Sequence, residues 1–131
     1  LKGREIPIYG NGSNIRDWLF VEDHVNALIL LSKFGKIGEN YCIGGNGEKS
    51  NNDVANEICQ ILDKKLPNNF SKNHLIKYVE DRPGHDQRYS INFSKIKNLH
   101  GWEPSYNFSE GLLKTVDWYI KNITWVEKVL K

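Results

Sequence analysis

The densest run of polar side chains in the sequence is Asp81-Arg82-Pro83-Gly84-His85-Asp86-Gln87-Arg88-Tyr89. Pro83 fixes one backbone dihedral and Gly84 relaxes the next, so a loop here can turn Arg82 and His85 to one side. Two guanidiniums and an imidazole so close together suit an anion, and each charge-assisted hydrogen bond to a phosphate contributes about 1.5–3 kcal/mol. The competing reading is a solvated loop that satisfies itself through Asp81 and Asp86. Arg16 is the second candidate. It follows the turn-rich Gly10-Asn11-Gly12-Ser13, where its planar fork can meet a phosphate. Pairing of Arg16 with a surface carboxylate, with Asp17 as a local cap, stands equally beside that reading.

Other patterns carry less. Gly10-x-Gly12 after a strand invites a dinucleotide reading, but a third glycine at the right spacing is missing and Ser13 to Ile15 does not start a helix. A plain tight turn is the better reading. His24, His74, His85 and His100 show no metal-ligand spacing. Ser90 and His85 are neighbours in sequence, which does not make a catalytic dyad. Trp18, Trp102, Trp118 and Trp125 sit beside apolar residues and read as packing.

These residues need elements to hold them. Glu5 to Tyr9 reads as a strand, followed by the Gly10–Ser13 turn. A helix is expected over Glu22 to Lys33, with Ala27, Leu28, Leu31 and Phe34 as its buried face and Gly35 as its stop. Asn40 to Ile43 reads as a buried strand. Ser50 or Asn51 caps a second helix, with Asp53 in its first turn and Val54, Ile58, Ile61 and Leu62 as its stripe, until Pro67-Asn68-Asn69 breaks the chain. Leu75 to Val79 is a strand, Asp81 to Gln87 a loop, and Tyr89 to Asn92 a short extended stretch. Phe93 to Leu99 is a short helix with Asn92 as cap. Gly101-Trp102-Glu103-Pro104 is a stop and turn. Asn107 and Glu110 have capping-box spacing and open a helix through Tyr119, with Leu112, Leu113, Val116 and Ile120 inward. A further turn of helix is expected around Trp125 and Val129. Helices and strands alternate, which predicts an α/β layered fold with a small sheet and no internal boundary over 1–131.

Composition agrees with a folded chain: 39% hydrophobic, 26% charged and a net charge of +2 over 131 residues. That charge argues against bulk nucleic-acid binding, and no apolar run approaches the roughly 20 residues of a membrane span. Cys42 and Cys59 fall in apolar surroundings and are expected to be buried free thiols in a reducing compartment. The chain opens with Leu1 and contains no methionine, so a piece of a longer product is expected.

Several strings resemble the second half of dTDP-glucose 4,6-dehydratases, in the extended short-chain dehydrogenase/reductase superfamily. They are Pro7-Ile8-Tyr9-Gly10-Asn11-Gly12, Ile15 to His24, Tyr41-Cys42-Ile43-Gly44-Gly45, Glu48-Lys49-Ser50-Asn51, Asp81 to Tyr89, Gly101-Trp102-Glu103-Pro104 and Lys114 to Tyr119. The Arg-Asp-Trp and Gly-Trp-x-Pro segments mark the superfamily. The Asp-Arg-Pro-Gly-His-Asp-x-Arg-Tyr string marks the dehydratase branch.

The resemblance implies a carboxy-terminal nucleotide-sugar-binding lobe, 1–131, of an NAD(P)-binding Rossmann-type enzyme whose Rossmann core largely lies elsewhere. It implies that Pro7, Ile8 and Tyr9 line the base pocket, that Arg16 holds the diphosphate with Asn51 nearby, and that Asp81, Arg82, Pro83, Gly84 and His85 form the loop over diphosphate and ribose. The family's NAD turn, its Tyr-x-x-x-Lys pair and its Asp-Glu acid/base pair have no counterpart here, so no catalytic residue is expected and the chain alone should be inactive. In the family, NAD takes a hydride from sugar C4, water leaves across C5 and C6, and the hydride returns at C6. The implied parent is a cytoplasmic hydro-lyase of deoxysugar biosynthesis, a homodimer acting on dTDP-glucose to give dTDP-4-keto-6-deoxyglucose. A UDP-glucose 4,6-dehydratase, another nucleotide-sugar epimerase or dehydratase, and a non-catalytic nucleotide-sugar-binding module are the alternatives.

Overall fold

The computed structural model describes residues 1–130. In chain order the elements are β1 (Ile6–Tyr9), β2 (Ile15–Asp17), α1 (Val21–Phe34), β3 (Glu48–Ser50), α2 (Asn51–Lys65), a 3-10 turn (Lys72–Leu75), β4 (Ile76–Val79), α3 (Ser94–His100), α4 (Phe108–Lys121) and α5 (Ile123–Val129). The expected α/β character is present. The contacts gather into two units, each made of separate stretches of sequence. The first comprises Leu1–Asn14, Ser50–Gln87 and the chain from Leu112 onward, and the second comprises Ile15–Lys49 and Arg88–Gly111. Because neither is contiguous, no linker composition marks them.

In the first unit β1 and β4 pair in parallel, Ile6 with Ile76 through Tyr9 with Val79. Pro7 is exposed in a two-stranded ribbon, where its missing N–H leaves no ladder bond unmade. Ile8 faces the other way and is buried. Helix α2 starts at Ser50, whose hydroxyl accepts from Asp53 N while the Asp53 carboxylate accepts from Ser50 N, both at 3.1 Å. Val54, Ala55, Cys59 and Leu62 are its buried face, and Val116 of α4 and Val126 of α5 are buried in the same unit. Lys65 Nζ meets Asp117 at 2.7 Å.

The second unit packs around Ala27, Ile96 and Trp102, with Leu19, Leu30, Leu31, Tyr41, Ile43 and Phe93 against them. Phe93 meets Trp102 edge to face at 5.8 Å. Asp23, 1% exposed, accepts from Ser105 N at 3.1 Å and Tyr106 N at 3.2 Å, which fixes the turn after Trp102. The capping box of α4 is present, with Asn107 and Glu110 bonded reciprocally at 3.0 and 3.1 Å.

Several expectations are corrected. Asn40 to Ile43 is not a strand. Tyr41 and Ile43 reach the core from irregular backbone, while β3, a polar Glu-Lys-Ser run, pairs with β2. On α1, Leu28 and Phe34 are exposed, because Asp23, Ala27, Leu30 and Leu31 turn inward instead. Leu113 of α4 is likewise exposed. Cys42 is exposed; Cys59 alone is the buried thiol expected, and burial pushes its pKa up. No helix among the described residues is long and apolar enough to cross a membrane.

Candidate functional site

The carboxyl ends of β1 and β4, the place where parallel strands commonly present ligand sites, organise the first unit. Gly10 N continues the ladder by donating to Val79 O at 3.0 Å, and Gly12 N closes the turn onto Tyr9 O at 3.2 Å. Helix α2 points its amino end at this turn. Asn52 N donates to Gly12 O and Asn51 N to Asn14 O, both at 3.1 Å. The Asn52 side chain donates to Asn11 O at 2.8 Å and accepts from the Tyr78 hydroxyl at 3.3 Å.

Those bonds change the reason for expecting an anion here. The first backbone N–H groups of α2 are already taken by turn carbonyls and by Ser50, so the bare helix end does not offer them to a ligand. Asn51 can contribute its side-chain amide, which makes no hydrogen bond among the described residues.

The Asp81–Gln87 loop follows β4. The Asp81 carboxylate accepts from Arg82 N at 2.9 Å and lies 2.7 Å from His85 Nδ1. Bonding to His85 is the first cause that holds the Asp81 carboxyl below the usual carboxylate range. The Arg82 side chain is exposed and makes no hydrogen bond or ion pair among the described residues. Pro83 and Gly84 form the turn between them, with Gly84 at φ +70°. The loop is tied down by Asn14 Nδ2 to Asp86 O at 3.2 Å and Gln87 Nε2 to Ser13 Oγ at 3.2 Å. It is thus self-bonded at Asp81 and open at Arg82. The first unit therefore gathers the β1 end with Pro7 and Tyr9 exposed, the Asn51 amide, and the Asp81–His85 loop.

Arg16 stands in the second unit, on β2. Its guanidinium lies 4.4 Å from the Tyr89 ring centroid, and Nη1 donates to Ile15 O at 2.6 Å. Stacking on an aromatic face holds the planar fork in one orientation. Tyr89 was in the polar string, but nothing in the spacing marked it as the platform for Arg16; the parallel bridge between Ile15 and Arg88 brings the two stretches together. Arg88, counted among the basic groups of that string, also belongs to the second unit and is committed to a bidentate pair with Glu48 at 2.7–3.0 Å.

Asp17, next in sequence to Arg16, does not cap a helix. Its carboxylate accepts from Gly45 N at 3.1 and 3.2 Å and from Gly47 N at 3.0 Å. A cleft of about 830 Å³ in the same unit is lined by Gly45 to Lys49, Phe93, Lys97 and Glu103 to Ser109, which include none of the expected substrate-binding residues. No group of three or more His, Cys, Asp or Glu side chains among the described residues is placed to hold a metal ion.

Comparison with known proteins supplies the wider frame. The sequence model of the family GDP-mannose 4,6 dehydratase matches residues 1–115. The dTDP-glucose 4,6-dehydratase of Xanthomonas campestris pv. campestris is 48% identical over 132 aligned positions, covering 99% of this chain and 38% of that protein. Among solved structures, the dTDP-glucose 4,6-dehydratase of Bacillus anthracis in complex with NAD superposes with a TM-score of 0.82 at 45% identity, over 95% of this chain and 37% of that one. The UDP-glucose 4-epimerase of Thermotoga maritima with UDP-glucose gives 0.76 at 27% identity, over 93% and 37%. The chain thus spans well under half the length of the relatives it matches.

Proposed function

Because the chain belongs to the GDP-mannose 4,6-dehydratase family, we propose that it is the nucleotide-sugar-gripping part of a dTDP-glucose 4,6-dehydratase. The observation that carries the proposal is the site at the carboxyl ends of β1 and β4, where an exposed aromatic strand end adjoins a loop with an unpaired guanidinium. The 45% identity to a dTDP-glucose dehydratase structure, against 27% to a UDP-glucose epimerase, favours dTDP over UDP.

In this reading Pro7 and Tyr9 face the base, and Ile8, whose side chain is buried, contributes backbone. Arg82 reaches the diphosphate, His85 the ribose, and Asn51 adds its amide; Arg16, held flat on Tyr89, is a diphosphate candidate on the strength of the family resemblance. Each charge-assisted bond to phosphate contributes about 1.5–3 kcal/mol. Binding energy spent on the nucleotide fixes the sugar for reaction. NAD, when bound, accepts and returns the hydride. The turn after β1 leads into β2 and not into a helix, so these residues do not fit a dinucleotide cradle, and we assign NAD and the acid/base groups to the part of the enzyme that the relatives' extra length represents. A homodimeric, cytoplasmic parent is part of the same proposal.

Calorimetric titration with dTDP, with UDP as comparator and Arg16→Ala as control, tests it. Saturable dTDP binding, tighter than UDP and about tenfold weaker in Arg16→Ala, is the expected result. Equal or tighter UDP binding would reassign the substrate, and no binding by a folded chain would remove the reading. The chain alone should give no 4-keto-6-deoxy sugar from dTDP-glucose and NAD; measurable product would refute the assignment of chemistry elsewhere.

A further inference from the structure

His85 has one ring nitrogen fixed and one open. Nδ1 lies 2.7 Å from Asp81 Oδ1, and Nε2 makes no hydrogen bond among the described residues. The imidazole side chain is 6% exposed, against 45% for the Asp81 side chain. The ring is therefore enclosed while its carboxylate partner stands at the surface.

The seat of that carboxylate is Gly10. Gly10 has φ +59°, and a Cβ built on it would stand 2.7 Å from Asp81 Oδ2, 3.0 Å from Cγ and 3.2 Å from the Asp81 Cβ. Asp81 fills the space a side chain at position 10 would take. Gly10 is itself fixed, since its N–H is bonded to Val79 O. A strand end, a notch, a carboxylate and an imidazole are thus in series.

We propose that Asp81 is a positioning residue: seated in the Gly10 notch, it holds the proton on His85 Nδ1 and so presents Nε2 to the ligand. This rests on the nucleotide-diphosphate reading for what Nε2 meets. It reassigns Asp81, which the sequence resemblance placed among the ligand contacts, to acting through His85. A carboxylate on Nδ1 fixes the tautomer of the ring and leaves Nε2 as an acceptor, suited to a hydroxyl of the ligand's ribose. Asp81 touching the diphosphate directly would instead place like charges together.

The test has one arm without ligand and one with it, both on the whole chain. Ring-nitrogen shifts of His85, assigned with His85→Gln, read the tautomer by nitrogen NMR. Wild type should show a protonated Nδ1, and Asp81→Ala should move the neutral ring toward the Nε2–H tautomer. Gly10→Ala, if folded by circular dichroism, should do the same by displacing the carboxylate; Asp81→Ala decides the matter if Gly10→Ala does not fold. Unchanged shifts in Asp81→Ala would overturn the proposal.

In dTDP titrations, Asp81→Ala and His85→Gln should each weaken binding about tenfold. The double variant should be no weaker than His85→Gln alone, since residues that act in series do not add. A full further loss in the double variant would show Asp81 acting on its own and would sink the idea. If wild type binds no dTDP while the ring shifts respond as described, the positioning role stands and the nucleotide reading falls.

Discussion

Asp17 and Asp81 each lean against a glycine-rich turn, one in each unit. Asp17 accepts from the backbone N–H groups of Gly45 and Gly47, so the donors that could have cradled an anion in the Gly44–Gly47 turn already hold an internal one. Asp81 takes no hydrogen from the Gly10–Gly12 turn. It uses Gly10 for room and spends its oxygens on Arg82 N and on the His85 ring. The first arrangement closes a turn, and the second aims a side chain. Two similar strings of glycine and aspartate therefore carry different duties, and the difference lies in whether the carboxylate meets backbone donors or a titratable ring.

That contrast can be broken most strongly at Asp17. Asp17→Ala leaves two half-buried N–H groups without an acceptor and should cost about 3 kcal/mol, read as a lowered midpoint in urea. Asp81→Ala should leave that midpoint in place, and a comparable loss there would erase the distinction. Gly45→Ala puts a methyl group against Trp18 O and should cost about 2 kcal/mol by overpacking; an unchanged melting temperature would mean the turn yields easily.

Ser50→Ala sharpens the contrast from the other side. Asp53, like Asp17, is spent on a backbone N–H, and removing its reciprocal partner should cost about 1 kcal/mol, seen by thermal melting. The smallest effect concerns acid. The Asp63 carboxyl is held below its ordinary value, first by the Ser71 hydroxyl and then by Lys72. A depressed carboxyl adds stability that is present above its unfolded pKa and is lost as pH falls through the lower folded value. Stability should therefore decline below about pH 4, with a shallower slope in Asp63→Asn. Identical slopes would show that Asp63 contributes nothing to it.

The sequence was most readable where one residue type does one local job. The Asn107–Glu110 box, the Gly35 stop and the Ser50 start depend on neighbours three or four positions away. The Asp81–Gln87 loop was equally visible, because Pro83-Gly84 between charges permits little else. What could not be read depends on partners far along the chain. The duty of Asp17 is set by Gly45 and Gly47, the orientation of Arg16 by Tyr89, and the commitment of Arg88 by Glu48. The expected strand at Asn40–Ile43 failed for a related reason: Tyr41 and Ile43 are apolar because they reach Ala27, Ile96 and Trp102, and no ladder claims their backbone. On α1 the apolar residues outnumber the buried positions, so periodicity alone did not select Leu30 over Leu28.

The pairing of β1 with β4 joins Ile6 to Ile76, about 70 residues further on. During synthesis at about 5–20 residues per second, β1 leaves the ribosome several seconds before its partner. The stretches of the second unit are all made by Gly111, whereas the first unit also needs those from Leu112 onward. For that interval Ile6-Pro7-Ile8-Tyr9 lacks its β4 partner, and an apolar strand without its partner is the sort of segment that captures wrong ones. Pro7 offers no ladder donor in the middle of it, which makes the segment a poorer template for a stray strand than its apolar neighbours alone would be.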